Sequence, residues 1–376
     1  MNDFAGRFGG AETYINDMKP LLREGGHDVE VYFSRNTVKL DIFGSIFSIR
    51  NLIDSYKKIK SYNPDIIHVH KYNLSLSVSP LIVAKFLKKK TFVTFHDFGI
   101  LCCNGWCVDG EGNPCKKPSS IKWLFCRSLS NKRFINKLYD YVKNTIHLFL
   151  MNWFVDEYIA PSKALTRYLG KIYDRQRRKR AHCVPNFKII SKKKLRKRYE
   201  YLVYVGRLTR EKGVDWLINS FRQVVEKSAS AKLVIVGGGV ERKRLEALTK
   251  KLGLQHNIEF RGRLNYNELV KVYEKALAVV MPSIWMENNP MVLFEASSYA
   301  IPVIGSNIGG IPDMVKDGYN GYLVERFNSN QLAEKILTLI KNKNLAAKLG
   351  EIGKRLVEKE FSPQKHIKRL MLHYRA

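Results

Sequence analysis

Acidic side chains are scarce in this sequence: 34 Asp and Glu stand against 65 Lys and Arg, a formal net charge of +31 over 376 residues. Such a positive field attracts phosphate in nucleic acids, in anionic lipid surfaces or in phosphorylated substrates, and charge alone does not choose among them. No Asp-x-Asp pair occurs in the sequence, which argues against a divalent ion clamped on a diphosphate. We therefore expect a catalytic site without a metal ion.

Long apolar runs and cysteines are also few. The longest apolar stretch, residues 146–155, is interrupted by His147 and Asn152 and falls short of the ~20 residues that span a bilayer. Six cysteines in a chain of this length do not make a small disulfide-stapled secreted domain, and no signal-peptide pattern opens the sequence. We expect a cytoplasmic protein that contacts a membrane, if at all, on its inner face.

Short apolar segments alternate with amphipathic ones along most of the chain. The predicted strands are residues 65–70, 91–96, 157–162, 201–206, 232–239, 257–262, 277–283, 301–306 and 321–325. Helical periodicity follows some of them, as in residues 214–227 and 241–252. This alternation predicts an α/β protein with two Rossmann-like, doubly wound parallel-sheet domains that face each other across a cleft. Ligands are then expected at the carboxyl ends of the strands.

A charged segment of weak periodicity between Asn186 and Tyr201 predicts the domain boundary. We expect a first, acceptor-side domain over residues 1–190, with a cysteine-containing insertion near 102–126, and a second domain over 191–362. Residues 363–376 are expected to form a helix that packs back on the first domain. A doubly wound domain normally opens on a strand, whereas this sequence opens on a glycine loop. Either the first strand lies upstream of Met1, which we favour, or the first domain lacks its central strand.

Two glycine-containing loops precede predicted helices. Gly9 and Gly10 stand directly before the first helix, where backbone amides either approach an anion or simply form a tight turn. Gly206, Arg207 and Lys212 lie between a strand and a helix. An arginine fork and a lysine point charge suit a diphosphate, although an ordinary charged loop has the same composition.

Two of the scarce acids, Glu287 and Glu295, flank an Asn-Asn-Pro turn. Pro290 favours a helix start, which leaves Glu287 on the loop and Glu295 one turn into the helix. Carboxylates so placed can accept hydrogen bonds from sugar hydroxyls, and the helix amides between them can bind an anion. The alternative is solvated charge at a helix end.

These motifs resemble those of the family 4 (group 1) retaining glycosyltransferases, which have the GT-B fold. The resemblance rests on GGAE (9–12), TFHD (94–97), GRLTREKG (206–213), GGG (237–239), PSIWMENNPMVLFEA (282–296) and GGIPDMVKDGYNGYLV (309–324). It implies transfer of a sugar from a nucleotide-diphosphate donor to a hydroxyl of a sugar or lipid-linked acceptor, with retention of configuration and without a cofactor. Surface polysaccharide or glycolipid synthesis is the expected context.

The resemblance also assigns roles to individual residues. Arg207 and Lys212 are expected to neutralise the donor diphosphate, and Glu287 to face the hydroxyls of the donor sugar. The implied catalytic residues are His96, Glu287, Arg207 and Lys212. The implied donor-binding residues are Gly9, Gly10, Gly206, Arg261, Gly262, Asn289, Pro290, Met291 and Glu295, the last of them on the ribose.

Cysteines and basic runs lie outside these motifs. Structural metal ligands are one interpretation of the cysteines in the insertion, and plain thiols or a disulfide are the other, because their spacing is not a pair of Cys-x₂-Cys knuckles. The cysteines concerned are Cys102, Cys107, Cys115 and Cys126. The basic runs 175–180 and 192–198, near the amphipathic, aromatic segment 134–154, indicate either docking on an anionic membrane or a solvated face.

Two rival functions follow from the same sequence. A basic nucleic-acid-binding protein would carry aromatic stacking platforms or a reader motif, and the sequence contains neither, so we expect no nucleic-acid partner. A non-catalytic GT-B-like partner subunit would tolerate losses in the site. The intact pairs Glu287/Glu295 and Arg207/Lys212 oppose that alternative.

Overall fold

The computed structural model describes residues 10–33, 47–70, 77–102, 107–109, 113–115, 133–177, 181–189 and 199–375. The chain divides into two compact units. The first consists of Met1–Asn186 together with Pro363–Ala376, and the second of Phe187–Ser362. The chain thus leaves the first unit after Asn186 and returns to it at Pro363.

The secondary structure follows the predicted alternation of strands and helices. The strands are β1 Ile66–Val69, β2 Lys90–Thr94, β3 Glu157–Ala160, β4 Ala181–Cys183, β5 Tyr201–Val205, β6 Leu233–Val236, β7 Ile258–Gly262, β8 Ala276–Met281, β9 Val303–Ser306 and β10 Gly321–Val324. The helices are α1 Gly10–Glu24, α2 Ile49–Tyr62, α3 Ser79–Phe86, α4 Phe134–Phe154, α5 Lys163–Arg177, α6 Val214–Lys227, α7 Arg242–Lys251, α8 Tyr266–Lys275, α9 Met291–Ser298, α10 Ile311–Met314, α11 Ser329–Lys341, α12 Lys343–Glu360 and α13 Pro363–Arg375.

The sheet of the first unit is parallel and runs in the order β1-β2-β3-β4 among the described residues. Its three predicted strands are confirmed as β1, β2 and β3. The short β4 was missed because its sequence, Ala-His-Cys, is half-exposed and has no apolar run. The expected strand before α1 lies outside the described residues.

Helix α13 packs on the sheet of the first unit. Its Tyr374 ring lies 4.9 Å from the Phe92 ring on β2, and its hydroxyl is 2.5 Å from Nδ1 of His68 on β1. At the start of the helix, His366 Nδ1 donates to the Pro185 carbonyl at 2.7 Å. The last helix of the chain is therefore part of the first unit.

The sheet of the second unit is also parallel and runs β10-β9-β8-β5-β6-β7. Its strands are mostly buried, as in β6 and β8, which explains why they read as continuous apolar runs rather than alternating ones. From β5 the chain builds outward through β6 and β7, and then returns to the other side of β5 with β8. This reversal makes a topological switch point between β5 and β8, where open parallel sheets bind ligands.

Helix α4 has an unusual distribution of side chains. Polar Asn144 and His147 are buried, whereas apolar side chains on other positions are exposed. The exposed ones are Phe134, Ile135, Val142, Phe149 and Trp153. No helix among the residues described in this chain combines the length and the apolar character needed to cross a bilayer.

Candidate functional site

The loops that follow β5 and β8 meet at the switch point of the second unit. Gly213 has φ +66°, and a Cβ there would lie 2.0 Å from the Pro282 carbonyl oxygen. The Ile284 amide donates to the Glu211 carbonyl at 3.0 Å. Because the two loops pack backbone to backbone, a side chain from one can reach into the other.

Lys212 and Glu287 use this proximity to form an ion pair. Lys212 Nζ lies 2.6 Å from Glu287 Oε1, and the same oxygen accepts a 2.6 Å hydrogen bond from Ser283 Oγ. The ammonium group also stands 4.9 Å from the centroid of the Trp285 ring, within cation–π range. Only 4% of Glu287 is exposed, so this is a buried charge with several partners.

The environment keeps the Glu287 carboxylate ionised. Burial raises its pKa, but the Lys212 charge and the hydrogen bonds from Lys212 and Ser283 lower it more, and the pKa lies below its ordinary value. An ionised carboxylate accepts hydrogen bonds only. Glu287 is thus prepared to receive hydroxyl donors.

The backbone of Glu287 is held by the loop after β9. The Gly310 amide donates to the Glu287 carbonyl at 2.7 Å. Gly309 has φ +61°, and a Cβ there would lie only 2.1 Å from the Glu287 carbonyl oxygen. Sequence reasoning gave this Gly-Gly pair no role, although two adjacent glycines after a strand are a signal of close backbone approach.

Glu295 lies on α9, one turn into the helix as predicted. Its Oε1 is 3.3 Å from Lys188 Nζ, and its Oε2 is 3.5 Å from the Tyr273 hydroxyl. The helix begins at Met291 after Pro290, which makes no side-chain cap, so an anion is a suitable partner for its first amides. Asn289, in the preceding loop, is 7% exposed.

Gly206 and Arg207 lie where β5 ends. A Cβ on Gly237 would lie 1.8 Å from the Gly206 carbonyl oxygen, so the ends of β5 and β6 are closely packed. The Arg207 side chain is 65% exposed, and its Nη2 lies 3.5 Å from Glu211 Oε1. Its guanidinium is therefore available to solvent at the same edge of the sheet as Lys212.

Arg261 is not brought to this cluster. Its guanidinium forks onto Glu259 with two hydrogen bonds of 2.9 Å and stands 5.7 Å from the ring of Tyr201, at the start of β5. Gly262, in contrast, lies at the carboxyl edge, where its carbonyl accepts from the Gly237 amide at 2.7 Å. The expected role of Arg261 at the donor base remains a prediction that its position does not favour.

In the first unit, His96 follows β2 and lies among aromatic side chains. Its Nε2 is 3.3 Å from Nδ1 of His70, and the Tyr14 ring is 5.5 Å away. Burial is the main reason that the pKa values of His68 and His70 lie well below the ordinary value. Of the predicted glycines, Gly10 is the first residue of α1, and Gly9 lies outside the described residues.

Three of the four candidate cysteines are described. The Cys107 thiol hydrogen-bonds with Cys102 and Cys115, and these contacts together with burial raise its pKa. Among the described residues, one group of side chains has potential metal-ligand atoms that all lie within 4.8 Å of one another, and that group contains no cysteine. Cys126 lies outside the described residues, and the metal role of the set stays a prediction.

Comparison with known families matches almost all of the chain. The model described as Glycosyltransferase Family 4 matches residues 8–187, and that described as Glycosyl transferases group 1 matches residues 186–356. This chain belongs to the group 1 glycosyltransferases. The second match contains Lys212, Glu287 and Glu295, so the switch-point cluster lies within the region that the group 1 model covers.

Two curated relatives match this chain over less than half of their own length. An uncharacterized glycosyltransferase of Methanocaldococcus jannaschii is 37% identical over 167 residues, which is 44% of this chain and 45% of the relative. The capsular polysaccharide biosynthesis glycosyltransferase CapM of Staphylococcus aureus is 32% identical over 161 residues, 43% of this chain and 42% of the relative.

Solved structures match over nearly the full length of the chain. Anabaena HepE in complex with UDP has a TM-score of 0.71 at 18% identity and covers 99% of this chain and 98% of its own. Sucrose-phosphate synthase of Thermosynechococcus elongatus has a TM-score of 0.68 at 20% identity, with 98% and 93% covered. At these identities the likeness shows the fold, which is GT-B.

Proposed function

We propose that this protein transfers a sugar from a nucleotide-diphosphate donor to an acceptor hydroxyl, with retention at the anomeric carbon and without a catalytic metal ion. The observation that carries the proposal is the buried Lys212–Glu287 pair at the switch point, with Nζ and Oε1 2.6 Å apart. One member suits a diphosphate and the other suits sugar hydroxyls. The complex of Anabaena HepE with UDP-glucose supports a nucleotide sugar as the donor.

In the proposed reaction, the bond between the anomeric carbon and the diphosphate oxygen breaks, and the acceptor oxygen bonds to that carbon on the same face. The acceptor proton passes to the departing phosphate oxygen. Lys212, the exposed Arg207 and the first amides of α9 stabilise the charge that develops on the diphosphate. Glu287 receives the hydroxyls of the donor sugar, and Glu295 those of the ribose.

Donor binding is tested first, by thermal shift with a panel of nucleotide sugars that begins with UDP-glucose. We expect one donor to raise the melting temperature of the wild type but not of Glu295→Gln. The matched control is Glu226→Gln, because Glu226 is an exposed acid on α6 with 58% of its side chain accessible. An undiminished response in Glu295→Gln would remove Glu295 from the donor site.

Stereochemistry and metal dependence need a product. NMR of the anomeric proton at early times should show the configuration of the donor, and inversion would overturn the retaining assignment. Turnover should continue in EDTA. If EDTA abolishes turnover and added Mg²⁺ or Mn²⁺ restores it, the proposal that no metal ion is needed is wrong.

We further propose that the acceptor is lipid-linked or carried at an anionic membrane surface, in the synthesis of a cell-surface polysaccharide or glycolipid. Ile135, Val142 and Phe149 recur every seven residues on α4, and Trp153 follows four residues later. Since positions seven apart share a helix face, these exposed side chains form one apolar stripe. An apolar stripe on a strongly basic chain suits the inner face of a membrane.

Vesicle sedimentation tests this docking. The wild type should bind vesicles that contain anionic lipid and dissociate as salt rises, and Phe149→Ser/Trp153→Ser should bind several-fold less. Val240→Ser is the control, because Val240 is 88% exposed in the second unit. Equal binding by the two variants, or indifference to anionic lipid, would contradict the membrane proposal and leave the donor site unaffected.

A further inference from the structure

Three side chains that can bind metals converge where β3, β4 and α13 meet in the first unit. Ile159 of β3 pairs with His182 of β4 in the parallel register. Glu157 lies two residues before Ile159 and therefore projects from the same face of the sheet. His373 reaches this place from α13. The fold thus joins one carboxylate and two imidazoles from distant parts of the chain.

The donor atoms of these side chains are close together. Glu157 Oε2 lies 2.8 Å from His182 Nε2, and the rings of His182 and His373 stack with centroids 3.8 Å apart and planes 27° apart. One ligand atom from each residue lies within 4.8 Å of the other two. In a tetrahedral zinc site, bond lengths of about 2.0–2.2 Å put ligand atoms about 3.3–3.6 Å apart. Small side-chain adjustments would therefore convert the observed arrangement of these three residues into tetrahedral zinc coordination.

The neighbouring side chains do not draw the Glu157 carboxylate away from the two histidines. Lys90 Nζ contacts the other carboxylate oxygen, Glu157 Oε1, at 3.9 Å, so Oε2 stays on the side of the histidines.

We infer that Glu157, His182 and His373 form a binding site for a divalent transition metal of the zinc type. Two imidazole nitrogens and one carboxylate oxygen suit Zn²⁺ and its neighbours, whereas Ca²⁺ and Mg²⁺ take oxygen ligands. Three protein ligands leave a fourth position to water. The bound ion fastens α13 to β3 and β4, whereas the next residue of the helix, Tyr374, contacts His68 on β1.

The alternative is a Glu–His contact with a stacked imidazole and no metal. To distinguish them, the full chain is stripped with EDTA, and Zn²⁺ alone is added in equilibrium dialysis to the wild type and to His182→Gln, His373→Gln and Glu157→Gln. The matched control is His256→Gln, an exposed histidine of the second unit. Any zinc bound by the cysteines is the same in the wild type and in the variants, so the difference between them measures binding at this site alone.

Loss of even an outer-shell partner weakens metal affinity about 10–100-fold, and loss of a ligand should weaken it more. At a free Zn²⁺ concentration just sufficient to saturate the wild type, we therefore expect the wild type and His256→Gln to bind about one more equivalent than each of the three variants. Zn²⁺ should also raise the melting temperature of the wild type more than that of His373→Gln. The three ligands lie on different elements, so if one variant fails to fold, the other two still test the inference. Equal stoichiometry in wild type and the folded variants, or no zinc bound to the wild type, overturns the inference.

Discussion

Replacing Lys212 by methionine removes the charge that compensates Glu287 while keeping an unbranched apolar chain against Trp285. Breaking a buried ion pair by removing one partner costs about 3–5 kcal/mol. We expect a value near 3, because the Lys212 side chain is 15% exposed and Ser283 still donates to the carboxylate. For a unit of this size, such a loss lowers the melting temperature by roughly 6–12 °C.

The stability that Lys212→Met loses should depend on pH, and it should be larger at neutral than at acidic pH. In the wild type, the pKa of Glu287 lies below its ordinary value, so the stabilisation is present above the unfolded pKa and is lost as pH falls through the folded one. Without Lys212, burial dominates and raises the pKa, and the carboxyl group is protonated more readily in the folded state. The deficit of the variant should therefore shrink from pH 7 to about pH 4.5.

Urea unfolding at both pH values measures these effects. The double variant Lys212→Met/Glu287→Gln removes both charges and should regain most of the lost stability at pH 7, since it leaves no uncompensated buried ion. Lys227→Met, on the exposed end of α6, should change stability by no more than about 0.5 kcal/mol. The reasoning fails if Lys212→Met is as stable as this control, or if its deficit is the same at both pH values.

Two further predictions concern backbone contact and acid stability. Gly309→Ala should be much more destabilising than Gly253→Ala. Both glycines have positive φ, which costs about 1–2 kcal/mol for alanine, but a Cβ on Gly309 would collide with the Glu287 backbone, whereas a Cβ on Gly253 meets nothing within 4 Å. Equal losses of stability in urea unfolding would exclude the contact between Gly309 and Glu287. Burial lowers the pKa of His366 from 6.5 to about 4, so the unfolded state binds more protons between these values. Stability should fall by about 3 kcal/mol from pH 6.5 to 4, and melting curves of His366→Gln should show a weaker dependence; an unchanged one would refute this assignment.

The strands were predictable because buried parallel strands are continuous apolar runs. β5, β6 and β8 were each recognised from such a run, whereas the order in which they pair came from the structure. Glu295 was placed correctly because proline and asparagine mark the start of α9 by local backbone preference. These features depend on residues close together in the sequence.

Other features depend on contacts that sequence spacing does not show. Gly309 approaches Glu287 only because β9 is next to β8, and His373 meets His182 only because α13 returns to the first unit. Arg261 shows a different cause. It lies two residues after Glu259 on one strand, so both side chains share a face, and the local ion pair directs the guanidinium to Tyr201 rather than toward Lys212.

The return of the chain at Pro363 has a consequence for its synthesis. Residues 187–362 are contiguous, so every residue of the second unit is added to the growing chain before α13. The other half is begun first but lacks the partners of His68, Tyr14 and Pro185 until Tyr374 and His366 have emerged. A chain that ended at residue 362 would contain every residue of the second unit, but its first unit would lack the partners that α13 supplies to those three residues.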